Sequence, residues 1–185
     1  MTKFKTALLA TMMAASPLFA SPAFAGWEMW NGSAWVSTGT ATITGATTAT
    51  VSGIAVPCSS ATFNLTLTSG VATVSGATFT GGSACTNNVT ALNLPWSISA
   101  GTPGATSSAI TIGGTVGSPG QVQVKFNTPS QTCTGGVAAG TLANLGNSAT
   151  NSTFTFTADF LPKPSPCTNV RSTSTLTASR PLRFT

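Results

Sequence analysis

Apolar and hydroxyl side chains alternate with a period of two along much of this chain. Three examples are TATITG (Thr40–Gly45), ATFNLTLTSG (Ala61–Gly70) and STFTFTADF (Ser152–Phe160). In a β-strand, a period of two places apolar groups on one face and polar groups on the other. Thr, Val, Ile and Phe also favour strands. The pattern therefore predicts a domain built from half-buried strands.

Clusters of Gly, Pro, Asn and Ser separate the alternating segments at roughly regular spacing. Further segments of this kind are Thr48–Val56, Val71–Gly81, Ser108–Val116, Gln121–Phe126 and Ser174–Phe184. This arrangement is typical of an all-β fold, either an antiparallel β-sandwich or a barrel-like single domain. One segment, Gly135–Gly146, has a composition that could hold a short helix, although its glycines disfavour one.

Charge is almost absent from the chain, and no charged side chain occurs between Met29 and Val124. An antiparallel sheet can expose one face to water, and threonine covers such a face without charge. Disordered chains are usually charged and poor in β-branched residues, so this composition favours a folded domain. The seven Lys and Arg residues form no dense patch. We therefore expect no nucleic-acid partner.

The N-terminus predicts a secretory signal peptide over residues 1–25. Lys3 and Lys5 form a basic segment, an apolar segment follows, and Ala23-Phe24-Ala25 matches the small-x-small cleavage pattern. The alternative is a membrane anchor, which the short apolar segment disfavours. We expect residues 26–185 to form one secreted β-domain, exported from a Gram-negative cell to its surface or the medium and not integral to a membrane.

The inventory of side chains argues against an enzyme. The chain has no histidine and only two carboxylates, Glu28 and Asp159, one near each end of the domain. A Ser-His-Asp arrangement is therefore excluded, and a glycosidase would need two carboxylates across one bond. No phosphate-binding glycine motif occurs. We expect a protein that has no catalytic residues and no cofactor.

Four cysteines, Cys58, Cys85, Cys133 and Cys167, lie in the predicted domain. An even number in an exported chain favours two disulfides. With no histidine and no CxxC pair, a metal site is disfavoured.

Four cysteines allow three connectivities, and the strand pattern favours one. Cys58 and Cys85 flank two alternating segments that Ser69-Gly70 could join as a hairpin, which would return its ends to bonding distance. This predicts Cys58–Cys85. Cys133 and Cys167 similarly bracket the alternating segment Ser152–Phe160, which predicts Cys133–Cys167.

The predicted domain begins with GWEMWNGSAWV, and its Asn31-Gly32 dipeptide is a strong hairpin signal. A two-residue turn would pair Trp30 with Ser33 and Met29 with Ala34. The wider segment 26–45 could be an N-terminal hairpin or a strand donated to a neighbouring subunit.

This hairpin would carry tryptophan on both of its faces. Trp27 and Met29 would share one face, and Trp30, Trp35 and Glu28 the other. Either core covers both faces, or the rings form an exposed aromatic surface for a partner, a lipid or a solid interface. Trp27, Trp30 and Trp35 are therefore the candidate hydrophobic-contact residues.

An ordered series of motifs resembles a known family. Its parts are VSGIAVPC up to Cys58, TFNLTLTSGVATVSGATFTGGSAC up to Cys85, and LNLPWSIS. The stretch, from about Val51 to Ser99, resembles the PraA/PraB type of alkane oxidation activators, small secreted proteins of pseudomonads and their relatives. The resemblance implies an exported, non-enzymatic protein that promotes growth on alkanes at the cell surface or on oil droplets and associates with biofilm. It implies no catalytic residues.

Three functional hypotheses follow. The first is a secreted surface-active or adhesive protein whose partner is a hydrophobic surface. The second is a pilin-like or biofilm-matrix subunit that assembles by strand addition with neighbouring subunits. The third is a carbohydrate-binding module, for which polar groups to orient a sugar are scarce.

Overall fold

The computed structural model describes residues 25–113, 121–135, 138–159 and 167–185. The predicted signal peptide, apart from Ala25, lies outside the described residues. The described residues form fifteen strands: β1 (Trp27–Trp30), β2 (Trp35–Val36), β3 (Gly39–Val51), β4 (Ile54–Thr68), β5 (Val71–Thr80), β6 (Val89–Leu92), β7 (Trp96–Ser97), β8 (Ser107–Ile112), β9 (Val122–Phe126), β10 (Gln131–Gly135), β11 (Ala138–Ala143), β12 (Thr153–Asp159), β13 (Cys167–Ser172), β14 (Leu176–Ala178) and β15 (Leu182–Phe184).

These strands form three sheets. The main sheet has the order β7-β5-β4-β3-β13-β12-β11-β8, and β14 also pairs with β3 and β12. The N-terminal sheet has the order β15-β1-β2, and the covering sheet has the order β10-β9-β6. All the strand pairs are antiparallel. The all-β antiparallel prediction is therefore confirmed.

The two edges of the main sheet meet, so the sheet closes in a barrel-like way. Ile98, which directly follows β7, forms an antiparallel bridge with Ile112 at the end of β8. On either side of this bridge, the Ser99 amide donates to the Thr111 carbonyl at 2.9 Å and the Gly113 amide to Ser97 at 2.7 Å. Closure removes two exposed strand edges, which otherwise invite pairing with other chains.

The predicted hairpin at Ser69-Gly70 is confirmed. Both residues have positive φ, +49° and +81°, as a two-residue turn of the type that matches strand twist requires. The strands on its two sides pair from Thr68–Val71 to Ser60–Thr80, with one bulge at Asn64/Leu65. The prediction came from local turn chemistry, which needs no knowledge of distant strands.

Two of the predicted alternating segments are divided: Ser174–Phe184 contains two strands, β14 and β15, and Thr48–Val56 contains a turn. Thr48–Val56 is not one strand, because a turn at Ser52-Gly53, where φ is +49° and +77°, divides β3 from β4. The segment with helical composition instead contributes β11, which pairs with both β8 and β12. Two strand neighbours supply backbone hydrogen-bond partners along β11, and this tertiary pairing overrides its weak local preference.

The buried apolar side chains form two cores. The first core lies between the main and N-terminal sheets, and its larger members include Trp27, Met29, Leu65, Leu67, Ile110, Leu142, Phe154, Leu176, Leu182 and Phe184. The second core lies between the main and covering sheets and includes Ala49, Val51, Val56, Val74, Trp96, Val122, Val124 and Phe126. The hydroxyl residues of the alternating segments, such as Thr66 and Thr155, occupy the opposite strand positions, as the period of two predicts.

Candidate functional site: the outer face of the N-terminal sheet

The N-terminal hairpin forms, but its turn is longer than predicted. Met29 pairs with Val36, and Trp30 pairs with Trp35, so four residues rather than two connect the strands. Asn31 makes the difference, because its side-chain Oδ1 accepts hydrogen bonds from the Ser33 and Ala34 amides, each at 2.9 Å. The side chain thus replaces part of the backbone turn. The register shift of two residues preserves the predicted faces.

Trp27, one of the three candidate contact residues, is buried. It is 3% exposed and lies in the first core. Its indole Nε1 donates to the Ser99 carbonyl at 3.0 Å, and its ring meets Phe184 edge-to-face at 5.1 Å. A buried ring whose N–H has a partner is a packing element. Trp27 is therefore not part of an exposed contact surface.

Trp30 and Trp35 lie on the opposite, outer face of the N-terminal sheet, where both are partly exposed. Their ring centroids are 5.5 Å apart with an interplanar angle of 61°, an edge-to-face pair. The strand pairing places the two rings directly opposite each other, within the reach of cross-strand side-chain contacts. The pair forms a pre-ordered aromatic surface.

Arg183 completes this surface. It lies on β15 directly opposite Glu28 of β1. Its guanidinium Cζ is 4.6 Å from the centroid of the Trp35 ring, and its Nε donates to Glu28 Oε2 at 2.5 Å. The carboxylate orients the guanidinium, and the guanidinium contacts the ring face. We call Glu28, Trp30, Trp35 and Arg183 the tryptophan face.

Sequence reasoning placed Glu28, Trp30 and Trp35 together but missed Arg183. The three share a face by strand alternation alone, whereas Arg183 joins them only because the two ends of the domain pair. The basic and aromatic residues of the C-terminal segment Arg180–Thr185 (RPLRFT) were the available signal, but no local feature of the sequence identifies their partner strand.

Both predicted disulfides are present. Cys58 and Cys85 have Cα atoms 5.3 Å apart, and Cys133 and Cys167 have Cα atoms 5.7 Å apart. Each bridge joins the main sheet to the covering sheet or to the segment that leads into it. Two disulfides indicate an oxidising environment outside the cytoplasm.

The segment 26–45 is paired within its own chain. β1 has β15 on one side and β2 on the other, and the start of β3 pairs with β4. Each strand between residues 27 and 45 thus has a partner strand within the described structure.

Other features of the described residues bear on function. Glu28 and Asp159 lie in different sheets, on β1 and at the end of β12. No cluster of three or more His, Cys, Asp or Glu residues suited to a metal ion occurs among the described residues. Within the same residues, no helix has the length and apolar character needed to cross a membrane.

Comparison with known proteins agrees with the resemblance seen in the motifs. No curated protein and no solved structure matches the chain. The family described as alkane oxidation protein activator PraA/PraB-like matches residues 1–185, the whole sequence. The chain therefore belongs to the PraA/PraB-like family of alkane oxidation protein activators.

Proposed function

We propose that this protein is a secreted, non-enzymatic, surface-active protein that promotes contact between cells and hydrophobic substrates such as alkanes, and that the tryptophan face is its contact surface. The single observation that carries the proposal is the outward Trp30–Trp35 pair, held by Arg183. Aromatic rings that remain partly exposed on a fixed frame are suited to an apolar phase or a neighbouring apolar surface.

The composition supports adsorption to an apolar phase. Because both rings are already partly buried, burying a further ~50 Å² on each would contribute about 2.5 kcal/mol at ~25 cal/mol per Å². The long uncharged stretch from Met29 to Val124 reduces repulsion between adsorbed molecules. Val71, which is 63% exposed, adds apolar surface at the same end of the main sheet, beside the Gly70 carbonyl that accepts the Trp27 amide.

The secreted location rests on the predicted signal peptide together with the two disulfides. The proposal of a non-enzymatic role is supported by the absence of histidine from the sequence and by the positions of Glu28 and Asp159 on strands of different sheets. A role as an adhesive component of biofilm would use the same face, with a neighbouring apolar surface in place of a droplet.

The proposal is tested by the tension of a hexadecane–water interface in the presence of protein exported from cells that express the full chain. We expect wild-type protein at micromolar concentration to lower the tension, and Trp30→Ser/Trp35→Ser to lose most of that effect. Ile54→Ser is the matched control, because Ile54 is also exposed, at 58%, but begins β4 roughly 45 Å along the strand from the β4–β5 turn.

Circular dichroism and urea unfolding establish that each variant is folded before its tension is compared. The proposal fails if wild-type protein leaves the tension unchanged. It also fails if Ile54→Ser reduces the effect as strongly as the double tryptophan variant, because the activity would then follow total exposed apolar area rather than one surface.

A further inference from the structure

Four side chains that pack in the interior are more exposed than their contacts with the two cores would predict. Phe63, Ile98, Ile112 and Val170 each pack against both cores, yet each is only partly buried. Alternation places them on the inner side of the main sheet: Phe63 is two residues before buried Leu65, and Ile112 two residues after buried Ile110. Alternation thus directs Phe63 and Ile112 into the closed sheet.

A cavity of about 70 Å³ occupies this position. All four side chains line it, and most of the remaining lining residues belong to the two cores. Thr47 and Thr48 are the only hydroxyl residues among the lining residues, which otherwise carry aliphatic, aromatic or disulfide-bonded side chains. The cavity is thus a gap between two cores that do not fully meet.

The chemistry of the lining determines what can occupy the cavity. A buried water needs two to four polar partners, and apolar cavities of this kind stay dry. Side chains that face an empty space lose dispersion contacts, which a nonpolar guest would restore. An engineered apolar cavity of ~150 Å³ binds benzene or xenon, and the cavity here is about half that volume.

We infer that this cavity is a binding site for small nonpolar molecules, of the size class of xenon and the shortest alkanes. The inference does not rest on the proposed surface activity, since Trp30 and Trp35 do not line the cavity. A guest is held by shape and dispersion alone and requires no charged or hydrogen-bonding group. The site therefore selects by size and polarity and excludes water, alcohols and benzene.

Methyl NMR of the exported protein under increasing xenon pressure, repeated with propane, tests the site. We expect saturable shifts for the methyl groups of Ile98, Ile112 and Val170. The methyl groups of Ile54 are the internal control, because this residue is on the surface and should shift only linearly with pressure. Linear shifts at all four residues would overturn the inference.

Two substitutions at one position sharpen the test. Ile112→Phe adds a larger side chain that narrows the cavity and should weaken the saturable component, whereas Ile112→Ala enlarges the cavity and should admit benzene, which the wild-type protein excludes. Saturable shifts at the lining methyls that persist unchanged in a folded Ile112→Phe variant would place the guest elsewhere and refute the site. If Ile112→Phe does not fold, the comparison of the lining methyl groups with those of Ile54 in the wild-type protein still decides the question. This experiment uses no oil–water interface, so its outcome is independent of the proposed surface activity.

Discussion

The main sheet is covered near both ends of β4, and the two covers are held in different ways. Near the β4–β5 turn, the N-terminal sheet is held by packing and hydrogen bonds, including Trp27 N–H to the Gly70 carbonyl at 2.8 Å and Gly104 N–H to the Phe184 carbonyl at 3.0 Å. Near the β3–β4 turn, the covering sheet is joined by two disulfides.

The size of the side chains that each sheet packs against the main sheet explains why only the covering sheet is joined by disulfides. The N-terminal sheet contributes large groups, Trp27, Met29 and Phe184, to the first core. The covering sheet contributes mainly Val122 and Val124, with one large ring, Phe126, to the second. Small side chains bury less apolar area and so contribute less free energy. The disulfides thus join the covering sheet, where the packed side chains are smaller, whereas packing and hydrogen bonds hold the N-terminal sheet, which carries the tryptophan face.

The largest expected effect is at the contact between the N-terminal sheet and the main sheet. Trp27→Ala should lower the free energy of unfolding by about 3–5 kcal/mol, because it leaves a cavity in the first core and removes a hydrogen bond to the Ser99 carbonyl. Urea unfolding of the exported protein measures the change. A loss below about 1 kcal/mol would mean that the N-terminal sheet is not held mainly by this packing.

The next largest effect is expected where the disulfides join the covering sheet to the main sheet. Replacing Cys133 and Cys167 together with alanine should lower the unfolding free energy by about 2–5 kcal/mol, since the bridge closes a chain segment with a sequence separation of 34 residues. Amide hydrogen exchange should show loss of protection in β9 and β10 but not in β1 and β15. Equal loss of protection in both sheets would contradict the idea that the two covers are held independently.

A smaller effect is expected at Ser152, which is fully buried next to the N-terminal sheet. Its Oγ accepts the Leu182 amide at 2.9 Å and donates to the Asn144 carbonyl at 3.2 Å. Ser152→Ala leaves the buried Leu182 amide without its partner, so we expect a loss of about 1–3 kcal/mol in unfolding free energy. Thr155→Ala, at an exposed position on the following strand, is the control and should change stability by less than about 0.5 kcal/mol.

The smallest expected effect is at the ion pair between Glu28 and Arg183. Glu28→Gln should change the unfolding free energy by only about 0–1 kcal/mol, because both side chains are partly exposed. Its informative consequence is local: Arg183 loses the carboxylate that orients it over Trp35, so the tryptophan emission spectrum should shift. An unchanged spectrum would show that the ring positions do not depend on the pair.

Local features could be predicted from the sequence, and distant pairings could not. The Ser69-Gly70 turn, the disulfide between Cys58 and Cys85, and the shared face of Trp30 and Trp35 follow from turn chemistry and strand alternation. Each of these depends on residues that lie close in sequence or on one short hairpin.

The missed features depend on which distant strands become neighbours. Trp27 is buried because β15 and the loop around Ser99 cover it, and Arg183 joins the tryptophan face only through the pairing of β1 with β15. The bridge between Ile98 and Ile112 closes the main sheet, and it likewise has no local signal. Alternation defines the faces of a strand but does not define its partners.

The central claim is that Trp30 and Trp35 meet the apolar phase while the other two tryptophans, Trp27 and Trp96, stay in the interior. Quenching of tryptophan emission on droplets of 1-bromohexadecane tests it directly, because this molecule is far too large for the interior cavity. We predict that adsorbed wild-type protein loses the emission of the exposed pair and keeps that of the buried pair, and that a Trp30→Phe/Trp35→Phe variant shows no quenching. Equal quenching of the wild-type protein and the variant, or none in either, would contradict the account.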